Sequence, residues 1–351
     1  MEAAELPQRG GGGGGGAPRR ERRAWGPVPA VTLAKGLQVS KVIRGAWQLS
    51  GRHRGDPATD RTSGGEAVAD MPVFHRAGVT TIDTADNYGP SEALIGQYLR
   101  LHPWQAASTT VATKLSYLTA EEMSGVNRTL VEYAVRSSLV RLGRQRLDLV
   151  QLQWADPEGH RKWADVLKWL AELREEGLIG HLGLCNFGVK HMTKAAELRL
   201  GLAAASYGIK LLAYGTVAGG LLADRYYNMP AAKARLDTAS KQKYALLLKE
   251  AGGSGPGGGW GWMQEVLEAT RAVAERHSVS ASAVATAWVL AQPQVAAAIV
   301  GARNARHIRD MQAACGLVLD DGDMLDLDAV WEGVPNPPTS DVYVWERGGA
   351  W

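Results

Sequence analysis

Short apolar runs alternate with helical stretches along most of this chain, and that alternation restricts the fold more than any other feature. Beyond Leu33 the runs are Val39–Leu49, Gly78–Ile82, Thr109–Lys114, Leu147–Trp154, Ile179–Asn186, Ile209–Ala213 and Val295–Val300. Their β-branched and aliphatic content suits buried strands. Gly64–Ala77 reads as a helix ending at Gly78, and Trp163–Glu176 as a helix stopped by Gly177. Arg128–Leu142 reads as an amphipathic helix with Leu130, Ala134, Leu139 and Leu142 inward, closed by Gly143. Strand, helix and short connector in repetition predict a parallel α/β architecture. One large domain is compatible with 351 residues, because α/β barrels run well past the usual domain size.

The chemistry-bearing residues collect at the ends of these runs. The stretch TTIDTADNYGPSEALIGQYLR, Thr80 to Arg100, puts Asp83 at a strand tip and Tyr88 on the loop beyond it. Ser91 is expected to cap a helix with Ala93, Leu94, Tyr98 and Leu99 on one face, and Glu92 suits its first turn. In a barrel of strands and helices, the C-terminal tips are where chemistry is placed. Taken alone, the motif is better accounted for by an Asp satisfying turn amides and a Tyr covering a loop. Lys114, Gln153, the pair Cys185-Asn186, Tyr214 and Gly301 close further runs in the same way.

This segment resembles the aldo-keto reductase signature D-T-A-x-x-Y-G-x-S-E, and the likeness extends, with one gap, from about Gly36 to Met311. The resemblance implies a (β/α)8 TIM-type barrel and an NADPH-dependent reduction of an aldehyde or ketone by hydride transfer. In it Tyr88 is the general acid. A free tyrosine, with a pKa near ~10, is a poor donor at neutral pH. Lys114 is the matching lysine that lowers that pKa, and Asp83 holds the lysine charged and oriented. Gln153 stands where the family usually carries histidine; an amide still donates N–H to a carbonyl oxygen but cannot become a cation. Trp47 and Trp154 are candidate walls of the substrate pocket, with ordinary barrel packing as the alternative. For the cofactor, NADP(H), the resemblance assigns Gly45 and Ala46 at the first tip, and Cys185 and Asn186 to the nicotinamide carboxamide. Cys185 replaces a serine and is a weaker donor. Tyr214 matches the ring that stacks on nicotinamide, and Gly215 opens the glycine-rich loop to Leu222 that folds over the pyrophosphate. Gly301, Ala302, Arg303 and His307, with Asn304 capping the next helix, match the phosphate-binding end, where a helix N-terminus favours anions. Arg303, Arg306 and His307 suit a 2′-phosphate and hence NADP over NAD.

The likeness breaks after Gly201. The interval from Asn186 to Tyr214 has room for one helix and one strand, but in the resemblance KLLAYGTVAGGLL corresponds to the seventh strand and its loop, which implies that the sixth is missing near Leu202–Tyr207. The expected fold is thus an α/β barrel with an incomplete sixth-strand region, and Gly252–Gly259 is expected to be flexible. That departure, with Gln153 and Cys185, motivates an alternative: an NADP(H)-binding regulatory or redox-sensing protein with little or no catalysis. Residues 1–30, with the glycine run Gly10–Gly16 among arginines, are expected to be a disordered segment, 31–332 the barrel and 333–351 a tail in which Tyr343 and Trp345 pack on the barrel. The glycine run contains G-x-G-x-x-G without a flanking strand or helix, so it is no dinucleotide fingerprint.

Lys+Arg 39 against Asp+Glu 36 leaves +3, too little to argue for nucleic acid or a membrane surface, and no apolar run approaches a membrane span. Two cysteines make no disulfide framework, so a reducing, cytoplasmic setting is expected, the N-terminal arginines leaving organelle targeting open. His53, His75, His102, His160 and His277 show no ligand spacing, so no metal site is expected. The expected partner is a small carbonyl compound.

Overall fold

The computed structural model describes residues 24–51, 65–198, 209–252, 258–302 and 304–332. Most of the segment 1–30, the gap at Leu202–Tyr207, Arg303, His53 and the tail with Tyr343 and Trp345 lie outside these residues.

Two strands, β1 (Ala30–Ala34) and β2 (Leu37–Ser40), form an antiparallel hairpin. Seven further strands follow: β3 (Val42–Gly45), β4 (Thr81–Asp83), β5 (Thr110–Tyr117), β6 (Leu147–Trp154), β7 (Ile179–Cys185), β8 (Leu211–Tyr214) and β9 (Val295–Gly301). They make one parallel sheet in the order β7-β6-β5-β4-β3-β9-β8. Because β9 pairs with β3 on one side and β8 on the other, the sheet curls round as a barrel does. The α/β barrel architecture is therefore present, with one seam: among the described residues β7 and β8 each have a neighbour on one side only.

The hairpin closes the floor. Thr110 donates to Gln38 O, Lys210 Nζ to Thr32 O, and His181 Nε2 lies 3.2 Å from Lys35 O, all near strand beginnings. Leu37 packs there with Ala112 and Leu149. Here the expectation of one strand over Val39–Leu49 needs correcting. Leu37–Ser40 turns away into the hairpin, Val42–Gly45 enters the sheet, and Trp47–Leu49 is a 3-10 turn. An unbroken apolar run does not reveal that its two halves pair with different partners.

Outside the sheet, helices bury one face each against the strands. Helix Arg128–Leu142 begins at Asn127, whose side chain accepts from Leu130 N, and ends at Gly143 with φ +65. Its buried residues are Val131, Val135, Ser138, Leu139 and Leu142, whereas Leu130 is exposed. Helix Ser91–Leu101 starts at Pro90 without a side-chain cap. The Ser91 hydroxyl bonds to Thr84 Oγ1 (2.8 Å), and Ala93 is exposed where Ile95 is buried. Glu92 is not a solvated first-turn acid. It is buried and accepts from Thr113 Oγ1 (2.6 Å), Ser138 Oγ (3.2 Å) and Arg141 Nε (2.6 Å), tying its helix to β5 and to the next helix. Those helices approach closely: a Cβ on Gly96 would lie 2.1 Å from Arg141 O. The expected flexible stretch Gly252–Gly259 is partly helical, since helix Ala239–Gly252 reaches its start and helix Gly258–His277 begins before its end. No helix among the described residues is long and apolar enough to cross a membrane.

One-sided pairing has a measurable consequence. Alternate amides of β7 and β8 face the seam, so in hydrogen exchange they should exchange about tenfold or more faster than those of β6, which is paired on both sides. Protection of Leu211–Tyr214 equal to that of Leu149–Leu152 would show the seam to be closed by further backbone.

Candidate active site

Asp83 ends β4, and Lys114 sits within β5, which continues for one more turn of alternation to Tyr117. Lys114 is thus not at its strand's tip, as the sequence reading had it, but inside the mouth of the barrel. Its Nζ donates to Asp83 Oδ1 (2.6 Å) and to Thr84 O (2.9 Å), and both side chains are about 6% exposed. The second carboxylate oxygen of Asp83 accepts from Gln151 Nε2 (3.2 Å). Sequence reasoning missed Gln151, although a period of two along LDLVQLQW sets it on the same face as Gln153.

Tyr88 leans over this pair. Lys114 Nζ is 5.2 Å from the centroid of its ring, and Trp47 meets the ring edge-on at 5.1 Å. Burial pushes the phenol up to about 12, and the Lys114 ammonium pulls against that. The lysine lowers the value, as the resemblance implied, but burial outweighs it. Burial also works against the Lys114 charge, yet Asp83 first, then Tyr88 and Cys185, hold its pKa above the ordinary lysine value.

Gln153 lines the cavity beside Tyr88, and its Oε1 accepts from Ser116 Oγ (3.1 Å). Trp47 lines the cavity too. Trp154 does not. It is 1% exposed, its Nε1 donating to His160 O (2.9 Å) and Asp156 O (3.2 Å), so it packs beneath the mouth.

Across the cavity, Asn186 follows β7 with φ 63, and Tyr214 ends β8 with 41% of its surface exposed. The Tyr214 hydroxyl donates to Asn186 Oδ1 (3.0 Å), bridging the seam. The Cys185 thiol lies 3.5 Å from the same oxygen, and burial pushes it up to about 11. Lys243, from helix Ala239–Gly252, also lines the cavity, with Nζ 5.4 Å from the Tyr214 centroid; burial pushes it down to about 8. No sequence signal marked it, because it belongs to a helix that reaches the mouth only in the fold.

Gly45 and Gly301 pair in register on β3 and β9, and a Cβ on Gly301 would sit 1.9 Å from Gln48 Nε2. Both line the cavity with Gly215, Asn304 and His307, whereas Ala46 and Ala302 are buried beneath it. Asn304 accepts from Arg306 N (3.1 Å), capping the short turn Ala305–His307. The cavity measures about 1400 Å³. That exceeds the ~300–1,000 Å³ of ordinary small-ligand pockets and leaves room for a dinucleotide with a second small molecule. An exposed ring at a strand tip, glycines where a side chain would intrude, and an asparagine opposite fit a nicotinamide dinucleotide. Among the described residues no cluster of His, Cys, Asp and Glu is arranged for a metal ion.

The sequence model described as the aldo/keto reductase family matches residues 41–205 and 198–332. The two matches overlap at residues 198–205, in the interval where the sequence resemblance breaks. The aldo-keto reductase YhdN of Bacillus subtilis is 25% identical over 336 residues, covering 88% of this chain and 95% of that protein. The NADH-specific methylglyoxal reductase of Escherichia coli is 24% identical over 324 residues, covering 82% and 93%. Among solved structures, the glycerol dehydrogenase AKR11B4 from Gluconobacter oxydans superposes with a TM-score of 0.67 at 23% identity, over 88% of this chain and 97% of that one. That last likeness speaks to the fold.

One buried acid near the site yields a test. Asp86 N donates to Lys114 O (3.1 Å), and its carboxylate accepts from Ser116 N (3.2 Å), strapping the Tyr88 loop to β5. Burial raises Asp86 from the ordinary 3.8 to about 6. The folded state therefore binds this proton more tightly than the unfolded one, and stability is lost as pH rises from about 4 to about 6. Asp86→Asn should stabilise the protein at pH 7.5 by on the order of 1–2 kcal/mol and change little below about pH 4, where the carboxyl is protonated in the folded and the unfolded state. Equal thermal shifts at the two pH values would contradict the burial argument.

Proposed function

This chain belongs to the aldo/keto reductase family, and from that premise we propose that it is an NADPH-dependent oxidoreductase that reduces an aldehyde or ketone with Tyr88 as general acid. The observation that carries the proposal is the buried Asp83–Lys114 pair set under Tyr88 at the mouth of a cavity with Asn186 and Tyr214 opposite. When bound, the dinucleotide supplies hydride to the carbonyl carbon. The protein's own task is then to bind, orient and protonate.

Asn186 would hold the carboxamide and Tyr214 would offer its ring to the nicotinamide. To do so the two must give up the hydrogen bond they share, which costs about 0.5–1.5 kcal/mol. Gly45, Gly215 and Gly301 would allow close backbone approach, with Asn304, His307 and Arg303 at the phosphates. Preference for NADPH rests on Arg303 and its neighbours meeting the 2′-phosphate, a charge-assisted contact worth on the order of 1.5–3 kcal/mol. The carbonyl oxygen would lie between Tyr88 and Gln153, with Trp47 as a wall.

A phenol near 12 stays protonated at neutral pH. An alkoxide is about as basic as hydroxide, the conjugate base of water with its pKa of about 15.7. Tyr88 can therefore surrender its proton once negative charge has developed, and Lys114 steadies the phenolate left behind. Redox sensing through Cys185 has its thiol against it, since burial keeps it in the unreactive form.

Tyr88→Phe should abolish NADPH oxidation with a panel of aldehydes and leave NADPH binding intact. Turnover that survives this change would remove the mechanism. A wild type that binds NADPH but reduces no aldehyde would instead make the protein a cofactor binder. In fluorescence titrations NADPH should bind about tenfold or more tightly than NADH, and Arg303→Ala should erase the difference. Equal affinities in the unaltered protein would refute the phosphate assignment.

A further inference from the structure

We propose that Ser116 is a positioning residue that locks the Gln153 amide with its NH₂ end toward the carbonyl site; this rests on the reductase reading above.

A glutamine amide is two-faced: one end only accepts hydrogen bonds and the other only donates. Where a histidine would present a ring nitrogen, Gln153 helps a developing oxyanion only if its NH₂ faces the substrate. The reverse orientation would set carbonyl oxygen against carbonyl oxygen. Something must therefore choose between two orientations that differ by a half-turn of one torsion.

The neighbouring strand makes that choice. Ser116 and Gln153 are direct register partners on β5 and β6. The Ser116 hydroxyl donates to Gln153 Oε1 at 3.1 Å, which occupies the accepting end and leaves Nε2 for the cavity that Gln153 lines. Were the amide turned over, it would donate to Oγ and the serine proton would need another acceptor. Ser116 is itself fixed, because its backbone N–H donates to the Asp86 carboxylate at 3.2 Å. Asp86 lies two residues before Tyr88, and its own N–H donates to Lys114 O. One set of hydrogen bonds thus registers the acid, the lysine and the amide donor against one another. Ser116 does not line the cavity and touches no reacting atom, so it acts only through Gln153.

The test is steady-state reduction of 4-nitrobenzaldehyde by NADPH, with NADPH affinity measured in parallel as the control for folding. Ser116→Ala should lower kcat about tenfold, less than the 10²–10³ lost when an oxyanion donor is deleted outright. NADPH affinity should stay within about twofold. Ser116→Thr keeps the hydroxyl and should restore most of the rate. In a Gln153→Ala background, Ser116→Ala should have no further effect, because the group it positions is gone. An equal loss in both backgrounds, or a threonine variant as slow as alanine, overturns the proposal. A second readout is independent of turnover. In protein carrying ¹⁵N in its glutamine side chains, the Gln153 NH₂ resonances, identified by their loss in Gln153→Ala, should shift in Ser116→Ala and return in Ser116→Thr. Unchanged resonances in Ser116→Ala would sink the assignment. If the wild type reduces no aldehyde, the reductase reading fails on its own, and the spectrum still decides whether Ser116 holds the amide.

Discussion

Everything at the mouth of this barrel depends on the ion pair between Lys114 and Asp83. Two charges held about 6% exposed forfeit most of their hydration, and their mutual attraction repays that only if the remaining polar atoms are also engaged. Here they are. Thr84 O takes a second ammonium proton, and Gln151 donates to the free carboxylate oxygen. Each partner comes from a different strand: Asp83 from β4, Lys114 from β5, Gln151 from β6. The pair therefore fixes the relative height of three consecutive strands. The loop carrying Tyr88 is hung from the same place by Asp86.

The far side of the site is built on other strands. Asn186 and Tyr214 stand at the tips of β7 and β8, the two strands that have one neighbour each among the described residues. A hydrogen bond of 3.0 Å spans them there. The two matches to the family model, 41–205 and 198–332, also meet in the interval between these strands. The residues that would fix the acid thus belong to the continuous part of the sheet, and those that would receive the nicotinamide straddle its seam. The cavity lined by these tips is also lined by Leu33 and Leu37 of the hairpin.

Elements whose signals are local were legible from the chain alone. Asn127 and Gly143 bracket Arg128–Leu142, and β6 coincides with the run Leu147–Trp154. Errors arose where a decisive partner lies far along the chain. Nothing near Glu92 announces Thr113, Ser138 and Arg141, so its position suggested only a dipole effect. The reading of Thr109–Lys114 as a strand put Lys114 at its tip, whereas pairing with β6 carries β5 on to Tyr117. Gln151 and Ser116 escaped for a related reason: polar residues inside strands signal nothing until the facing strand is known. Gln153 was visible only through the resemblance, as an amide in place of an expected imidazole.

That replacement has an electrostatic consequence. On the reductase reading, an imidazolium at position 153 would bring a second full positive charge to a mouth whose lysine is already neutralised by Asp83. With glutamine, the two groups proposed to meet the carbonyl oxygen are both dipoles, the Tyr88 hydroxyl and the Gln153 amide, and both line the cavity. Dipoles stabilise a developing oxyanion only when they point at it before the reaction begins, since turning them during the step would cost what they return. A charge tolerates small errors of direction better than an amide does. On that reading, a site with an amide in place of the family's usual histidine must hold that amide more strictly. Here the holding group is Ser116, set directly across the β5–β6 pairing from Gln153.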